Sequence, residues 1–374
     1  MSRVVEPRAS NSPDRPAPDE VSEALHPSRT TFLSGHREAE AALAAAVSGG
    51  SLHHAWLISG PFGIGKATLG YRFARRLLDP EAAGGGLFGD PPSDLHTDPE
   101  RELFTQVATG SHPNMVRLTR PWDWKAKKYR TEIVVDEVRR LHGFLGQSAS
   151  RAGRRVVLVD AADEMNENAA NALLKPLEEP PPNAVFILIC HQPGALIGTI
   201  RSRCRRLDLR PPSPDQALEA MTRLAPALDR DAAGLLLELS EQSPGRALRL
   251  AEEDGLALYR EMMALLASAP RISRAAAQKL AGSLDRGAQA ERRFVLFTEL
   301  LEGMLRRLIL NRPGPPEEAG LRERLAGGRL DQWFDLCDNL QRLRARTLAV
   351  NLNRKAVTLT LVSAFEDAAR AAAT

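Results

Sequence analysis

The residues best equipped for chemistry lie at 60–68, GPFGIGKAT. Gly60, four further residues and then Gly65-Lys66 is the spacing of a phosphate-binding loop, in which backbone N–H groups and a helix N-terminus enclose an anion. Gly60, Gly63, Gly65, Lys66 and Thr68 are the candidate nucleotide-binding residues, with Lys66 as the point charge for the outer phosphates. The hydroxyl that would ligate magnesium directly after this lysine is replaced by Ala67. Thr68 does not substitute for it, because one step along a helix turns the side chain by about 100°. An octahedral magnesium shell therefore loses a protein ligand. Weak ATP binding through the backbone and Lys66 is compatible with this loop; hydrolysis is impaired.

A second segment, VVLVDAADE at 156–164, places Asp160 at the end of an apolar run. P-loop ATPases put a metal-facing acid there, although a helix or turn cap would look the same. The next position, where a Glu often orients the attacking water, holds Ala161. The third segment, TIRSRCRRLDLR at 199–210, packs Arg201, Arg203, Arg205, Arg206 and Arg210 into ten residues. It reads as a solvated basic patch, as a contact to a nucleic-acid backbone, or as the source of an arginine finger. A guanidinium suits that last task, being permanently charged and forked to match phosphate oxygens. Position alone does not separate the three. RLTRPWDWKAKKYR at 117–130 adds six basic residues with Trp122, Trp124 and Tyr129. Stacking on bases is one reading; aromatics pairing across a hairpin, with the charges left in solvent, is preferred.

Positioning these groups requires a particular order of elements. HAWLISG before the glycine loop and KATLGYRFARRLL after it read as strand and helix, the context a phosphate loop needs. RRVVLVD and NAVFILIC are further apolar strands, separated by a helix that the prolines at 180–182 end. Continuous apolar strands alternating with helices predict an α/β fold with a parallel sheet covered on both faces. Prolines at 211, 212 and 214 mark its end, and only helices are expected beyond. Phe294, Phe297, Leu301, Met304 and Leu308 form one apolar stripe and Val357, Leu361, Phe365 and Ala368 another, both read as core. Residues 1–28, rich in Pro, Ser and charge, read as a flexible tail, and 79–100 as a loop.

The totals set outer bounds. A length of 374 residues suggests two or three domains, and a net charge of +3 points to no particular partner. Cys190, Cys204 and Cys337 form no CxxC pair, which argues against a disulfide framework or zinc module and suits a reducing cytoplasm. The N-terminal segment has no apolar core of a secretory signal, and no membrane span is expected.

Taken in order, GPFGIGKAT, VVLVDAAD, NALLKPLEEPP (171–181) and Ser202-Arg203-Cys204 resemble the clamp-loader branch of the AAA+ ATPases and, within it, the delta-prime subunits of bacterial DNA polymerase III. LHHAWLISGPFGIGK and NLNRKAVTLTL carry the resemblance towards both ends; it gives out in the tail and at 79–110. It implies a RecA-like AAA+ domain at 29–210 with a degenerate phosphate loop, a helical lid at 211–255 and an all-α collar for oligomerisation at 256–374. It further implies a non-hydrolysing stator within a hetero-pentamer of gamma/tau and delta subunits, loading a sliding clamp on primed DNA in the cytoplasm, with no membrane partner. Arg203 is then the finger acting in trans on a neighbouring ATPase subunit. The chain would have no ATPase activity of its own, while serving a DNA-directed DNA polymerase (nucleotidyltransferase) holoenzyme. The alternative within the same architecture is a gamma/tau-like ATPase motor; a DNA-binding module and a small-molecule kinase are weaker readings.

Departures from the family pattern fit the stator. No cysteine lies at 79–110, where many clamp-loader subunits carry a four-cysteine zinc module, so neither zinc nor any other metal is expected and no cofactor is required. His191 occupies a sensor position that is often Asn or Thr. Gly245 stands where motor subunits place an arginine, and Arg246 comes one residue late.

Overall fold

In a computed structural model the chain is described over residues 26–49, 52–80, 94–125, 128–146, 153–287, 289–325 and 330–372. Two compact units emerge: residues up to Leu224 together with Ser243–Gly245, and Ala225–Gln242 together with Arg246 onward. The division falls inside the segment expected to form a lid. Residues 1–25 of the expected tail lie outside the described residues, as does most of the loop expected at 79–100.

The first unit runs α1 (Arg37–Ser48), β1 (Ala55–Ser59), α2 (Lys66–Leu78), α3 (Glu102–Ala108), β2 (Met115–Leu118), β3 (Trp122–Asp123), β4 (Lys128–Tyr129) and α4 (Val135–Gly146). It continues through β5 (Arg155–Asp160), α5 (Glu167–Glu178), β6 (Ala184–Cys190), α6 (Gly198–Arg203), β7 (Arg205–Asp208) and α7 (Pro214–Leu224). Five strands form one sheet in the order β2-β5-β6-β1-β7, and every pair is parallel. The three interior strands are the apolar runs of the sequence. Their alternate residues feed two cores: Trp56, Ile58, Leu158 and Ile187 pack with Leu43, Leu69 and Phe73 on one face, and Leu57, Val157, Phe186 and Leu188 with Leu141, Leu173 and Ile200 on the other. This is the α/β architecture that the sequence predicts, with both faces covered. β3 and β4 form a separate antiparallel pair, across which the Trp122 and Tyr129 rings meet edge to face at 5.0 Å. The local-packing reading of these aromatics holds, while Trp124 is 66% exposed.

Two polar networks are buried in this unit. Glu40 pairs with Arg72 at 2.5 Å and accepts the Leu95 N–H, and Arg72 also donates to the Thr31 carbonyl. Arg117 donates to His26 Nε2 and to the Tyr71 hydroxyl; His26 Nδ1 meets Ser28 Oγ at 2.7 Å, and Ser28 Oγ donates to the Ala108 carbonyl. His26 and Ser28, at the end of the segment read as a tail, are therefore buried: the chain is tied down by partners that no local pattern announces.

The second unit contains helices alone among its described residues: α8 (Arg230–Leu239), the body of α9 (Pro244–Glu252), α10 (Gly255–Leu266), α11 (Arg274–Ser283), α12 (Ala290–Ile309), α13 (Ala319–Leu325), α14 (Leu330–Val350) and α15 (Arg354–Ala372). Phe294, Phe297, Leu301 and Met304 of α12 and the whole α15 stripe are buried, as core requires, while Leu308 at the end of the α12 stripe is half-buried. A buried ion pair, Arg307 with Glu318, is joined by the Tyr259 hydroxyl. Among the described residues no helix is long and apolar enough to cross a membrane.

Two stability predictions follow from the buried networks. Removing one partner of a buried ion pair leaves the other charge uncompensated, so Glu40→Ala should lower the unfolding free energy by about 3 kcal/mol, read by urea denaturation at pH 7. Burial, then Arg117 and Arg29, pushes the His26 pKa down to about 3, and burial followed by Lys66 pushes His191 down to about 4. Because both folded values lie below the unfolded one, their contribution is fully present above pH ~6.5. It is lost as pH falls towards 4, at up to about 1.4 kcal/mol per pH unit for each histidine. A His26→Asn variant should show a shallower fall in stability between pH 6.5 and 4.

Candidate functional site

Parallel strands buried on both faces leave their two ends for polar groups, and the loop residues converge at the carboxyl end. Gly60, Gly63 and Gly65 follow β1 with φ of 144°, 79° and 100°, a left-handed course that admits the tight turn into α2. Lys66 is the first residue of α2 and is 2% exposed; its Nζ donates to the Pro61 carbonyl at 2.6 Å. Thr68 is turned inward and buried, whereas Ala67 is half-exposed, as the rotation about the helix requires.

The backbone carbonyls of Pro61, Phe62, Gly63 and Ile64 are each held from within the chain. Besides Lys66 on Pro61, the Ser243 hydroxyl donates to the Phe62 carbonyl at 2.7 Å, the Gly245 N–H to the Gly63 carbonyl at 2.8 Å, and His36 Nε2 lies 2.6 Å from the Ile64 carbonyl. Gly245 is there for steric reasons. A Cβ on it would fall 2.8 Å from Gly63 Cα and 2.9 Å from Gly63 O, both backbone atoms that cannot swing aside. At the position where motor subunits are expected to carry arginine, no side chain fits.

At the carboxyl end of β5, Asp160 is half-buried, and its field reaches Tyr71 and Arg117. Ala161 is fully buried. The acids that follow are engaged elsewhere: Asp163 accepts the backbone N–H groups of His191 and Gln192, both at 2.9 Å, and Glu164 pairs with Arg120 at 3.0 Å. Neither is displaced into the position of a water-orienting Glu. His191, at the end of β6, packs edge-on against Phe62 at 5.1 Å and is held neutral by burial and by Lys66. Sequence reasoning missed Asp163, Ser243 and His36 as the fasteners of this end of the sheet. Each acts through a backbone group, and a backbone contact leaves no motif.

These groups suit the phosphates of a nucleotide better than its metal. The glycine turn and Lys66 supply the fixed dipoles and the charge. The oxygen that magnesium would take after Lys66 is a methyl group in Ala67. Among the described residues no cluster of His, Cys, Asp and Glu could hold a metal ion.

Arg203 sits elsewhere. It ends α6 and, with Cys204 between, precedes β7, whose register against β1 pairs Arg205 with Trp56 and Asp208 with Ser59. Arg203 thus lies at the amino-terminal end of the sheet, and the phosphate loop begins beyond Ser59 at the opposite end. At about 3.3 Å per residue the two are roughly 20 Å apart along the strand direction. Its guanidinium pairs with Glu178 at 2.6 Å and donates to the Thr199 carbonyl at 2.8 Å. Three other arginines of the cluster have their own local contacts: Arg201 with the Pro193 carbonyl, Arg205 over the Trp56 ring, and Arg206 with Asp208.

Known proteins are similar to this chain. A family model described as DNA polymerase III, delta subunit, matches residues 35–213. DNA polymerase III subunit delta' of Pseudomonas aeruginosa is 40% identical over 197 residues, 53% of this chain and 55% of that protein. The delta' subunit of Escherichia coli K12 is 34% identical over 212 residues, 57% of this chain and 58% of the other. DNA polymerase III subunit gamma of Buchnera aphidicola from Acyrthosiphon pisum is 28% identical over 172 residues, 46% of this chain and 42% of the other. The chain spans a little over half the length of these two delta' relatives. Over residues 35–213 the chain matches that family model, and over a little more than half of its length it is similar to the DNA polymerase III delta' subunits.

Proposed function

We propose that the chain is the non-hydrolysing stator of a clamp loader and supplies Arg203 in trans to the nucleotide of an adjacent ATPase subunit. The observation that carries this reading is the polarity of the sheet. Arg203 stands at the end of the strands opposite its own phosphate loop, about 20 Å away along the strands, so a phosphate it contacts belongs to another chain. Its half-buried guanidinium keeps a permanent charge and a forked donor geometry suited to phosphate oxygens. In the adjacent subunit's site it stabilises the negative charge that develops on the phosphoryl group in flight.

The chain's own loop supports the same assignment from the other direction. Ala67 and Ala161 replace the two groups that magnesium binding and water activation need most, and Gly245 brings no arginine to the phosphates. The partners in this reading are gamma/tau and delta subunits in a hetero-pentamer, and through them the sliding clamp and primed DNA. The assembly works in the cytoplasm.

Three measurements test the reading. The purified chain, given ATP and magnesium, should release phosphate no faster than buffer; robust turnover would make it a gamma/tau-like motor instead. A fluorescent ATP analogue should bind weakly at best and with no gain from magnesium, since the loop lacks the metal's hydroxyl ligand. An arginine finger is worth about 10³–10⁵ in rate at the site it serves. Arg203→Ala should therefore remove one site's share of ATP turnover in a reconstituted complex, with the unfolding midpoint of the chain unchanged. Full turnover in that variant would sink the finger assignment.

A further inference from the structure

We infer that Glu178 is a positioning residue for Arg203: it fixes the guanidinium in one orientation at the amino-terminal end of the sheet before any phosphate arrives. This rests on the finger reading above. Glu178 Oε1 lies 2.6 Å from one terminal nitrogen of Arg203, and the other terminal nitrogen donates to the Thr199 carbonyl at 2.8 Å. One acceptor comes from α5 and one from α6, so the plane of the guanidinium is set by two helices at once. Its planar fork loses little further freedom when it then engages an anion.

Both supports are rigid. Leu177, next to Glu178, and Ile200 and Cys204, flanking Arg203, are buried in the same apolar cluster. The end of α5 is held again by the His54 ring, whose Nε2 meets the Leu177 carbonyl at 3.0 Å. Glu178 and Arg203 therefore project from a shared core rather than from loops.

The placement of Glu178 is costly for its own helix. It is the last residue of α5, where the carbonyl ends of the helix disfavour negative charge, and Glu179 follows it. Neither helix propensity nor capping calls for an acid here; the partner that offsets its charge is Arg203. The pair remains open to solvent, with side-chain exposures of 34% for Arg203 and 46% for Glu178. A pair this exposed contributes little to stability. What it contributes is direction.

The test uses the full chain, reconstituted with the other clamp-loader subunits, and compares Glu178→Ala, Glu178→Gln and Arg203→Ala. Displacing a charged group from its working position costs rate rather than ground-state affinity, so Glu178→Ala should lower kcat for ATP about threefold to tenfold with KM unchanged. Its unfolding midpoint should move by no more than about 1 °C, and complex assembly by gel filtration should be unaltered. Glu178→Gln keeps an oxygen in place of Oε1 and should restore most of the lost kcat. If Arg203→Ala lowers turnover while Glu178→Ala does not, Glu178 has no positioning role and the finger reading stands. If Arg203→Ala itself leaves turnover intact, the finger reading fails and the inference with it. A Glu178→Ala effect confined to assembly or to the unfolding midpoint would mark a structural residue and overturn the inference.

Discussion

The chain's chemistry is organised by the common direction of its five strands. In a parallel sheet every segment that follows a strand emerges at one end and every segment that precedes one enters at the other. With both faces covered by helices, polar side chains have only those two ends to occupy. The phosphate loop, Asp160 and His191 follow β1, β5 and β6; Glu178 and Arg203 precede β6 and β7. The two sets are kept apart by the length of the strands themselves. No rotamer change can bring a residue of one set to the other.

Much of this frame was legible from the sequence, for a physical reason. Strands buried on both faces must be apolar throughout, so AWLIS, RVVLVD and AVFILIC declare themselves without alternation. The glycines and Lys66 carry a mechanism in their spacing, and the long helices of the second unit carry 3.6-residue stripes. What was not legible is short or is carried by the backbone. The helix α3 has seven residues and α6 six, too few to display a period. The edge strand β7, RRLD, is mostly exposed and reads as part of a basic patch. His26 looked like tail because it closes a segment rich in Pro, Ser and charge; besides the nearby Ser28, its partners lie 45 residues or more away, at Tyr71 and Arg117. The meaning of the arginine cluster depended on the register of β7 against β1, which no motif encodes.

The second unit is built by different means. Where the sheet unit buries continuous apolar strands, this one buries stripes on long helices, with Trp333 of α14 against Phe365 of α15 at 5.5 Å. It also buries a charge pair, Arg307 with Glu318, the latter wholly inaccessible. Such a pair adds little net stability compared with an apolar pair of the same size, and losing one member is severe. It constrains how α12 meets the turn before α13, a matter of geometry more than of energy.

The same distinction explains why a loop that lacks its magnesium ligand still keeps its glycines and its lysine. In a working site these residues answer to the nucleotide. Here Lys66 also answers to the Pro61 carbonyl, the Phe62 carbonyl to Ser243, the Gly63 carbonyl to Gly245 and the Ile64 carbonyl to His36. Four successive backbone acceptors thus have partners supplied by the chain itself, drawn from α2, from the segment before α1 and from residues 243–245. A buried acceptor deprived of its partner is expensive, and a side chain at Gly245 would collide with backbone at Gly63. Ala67 and Ala161 contribute to none of these four bonds. The form of the loop is fixed because the unit is joined through it.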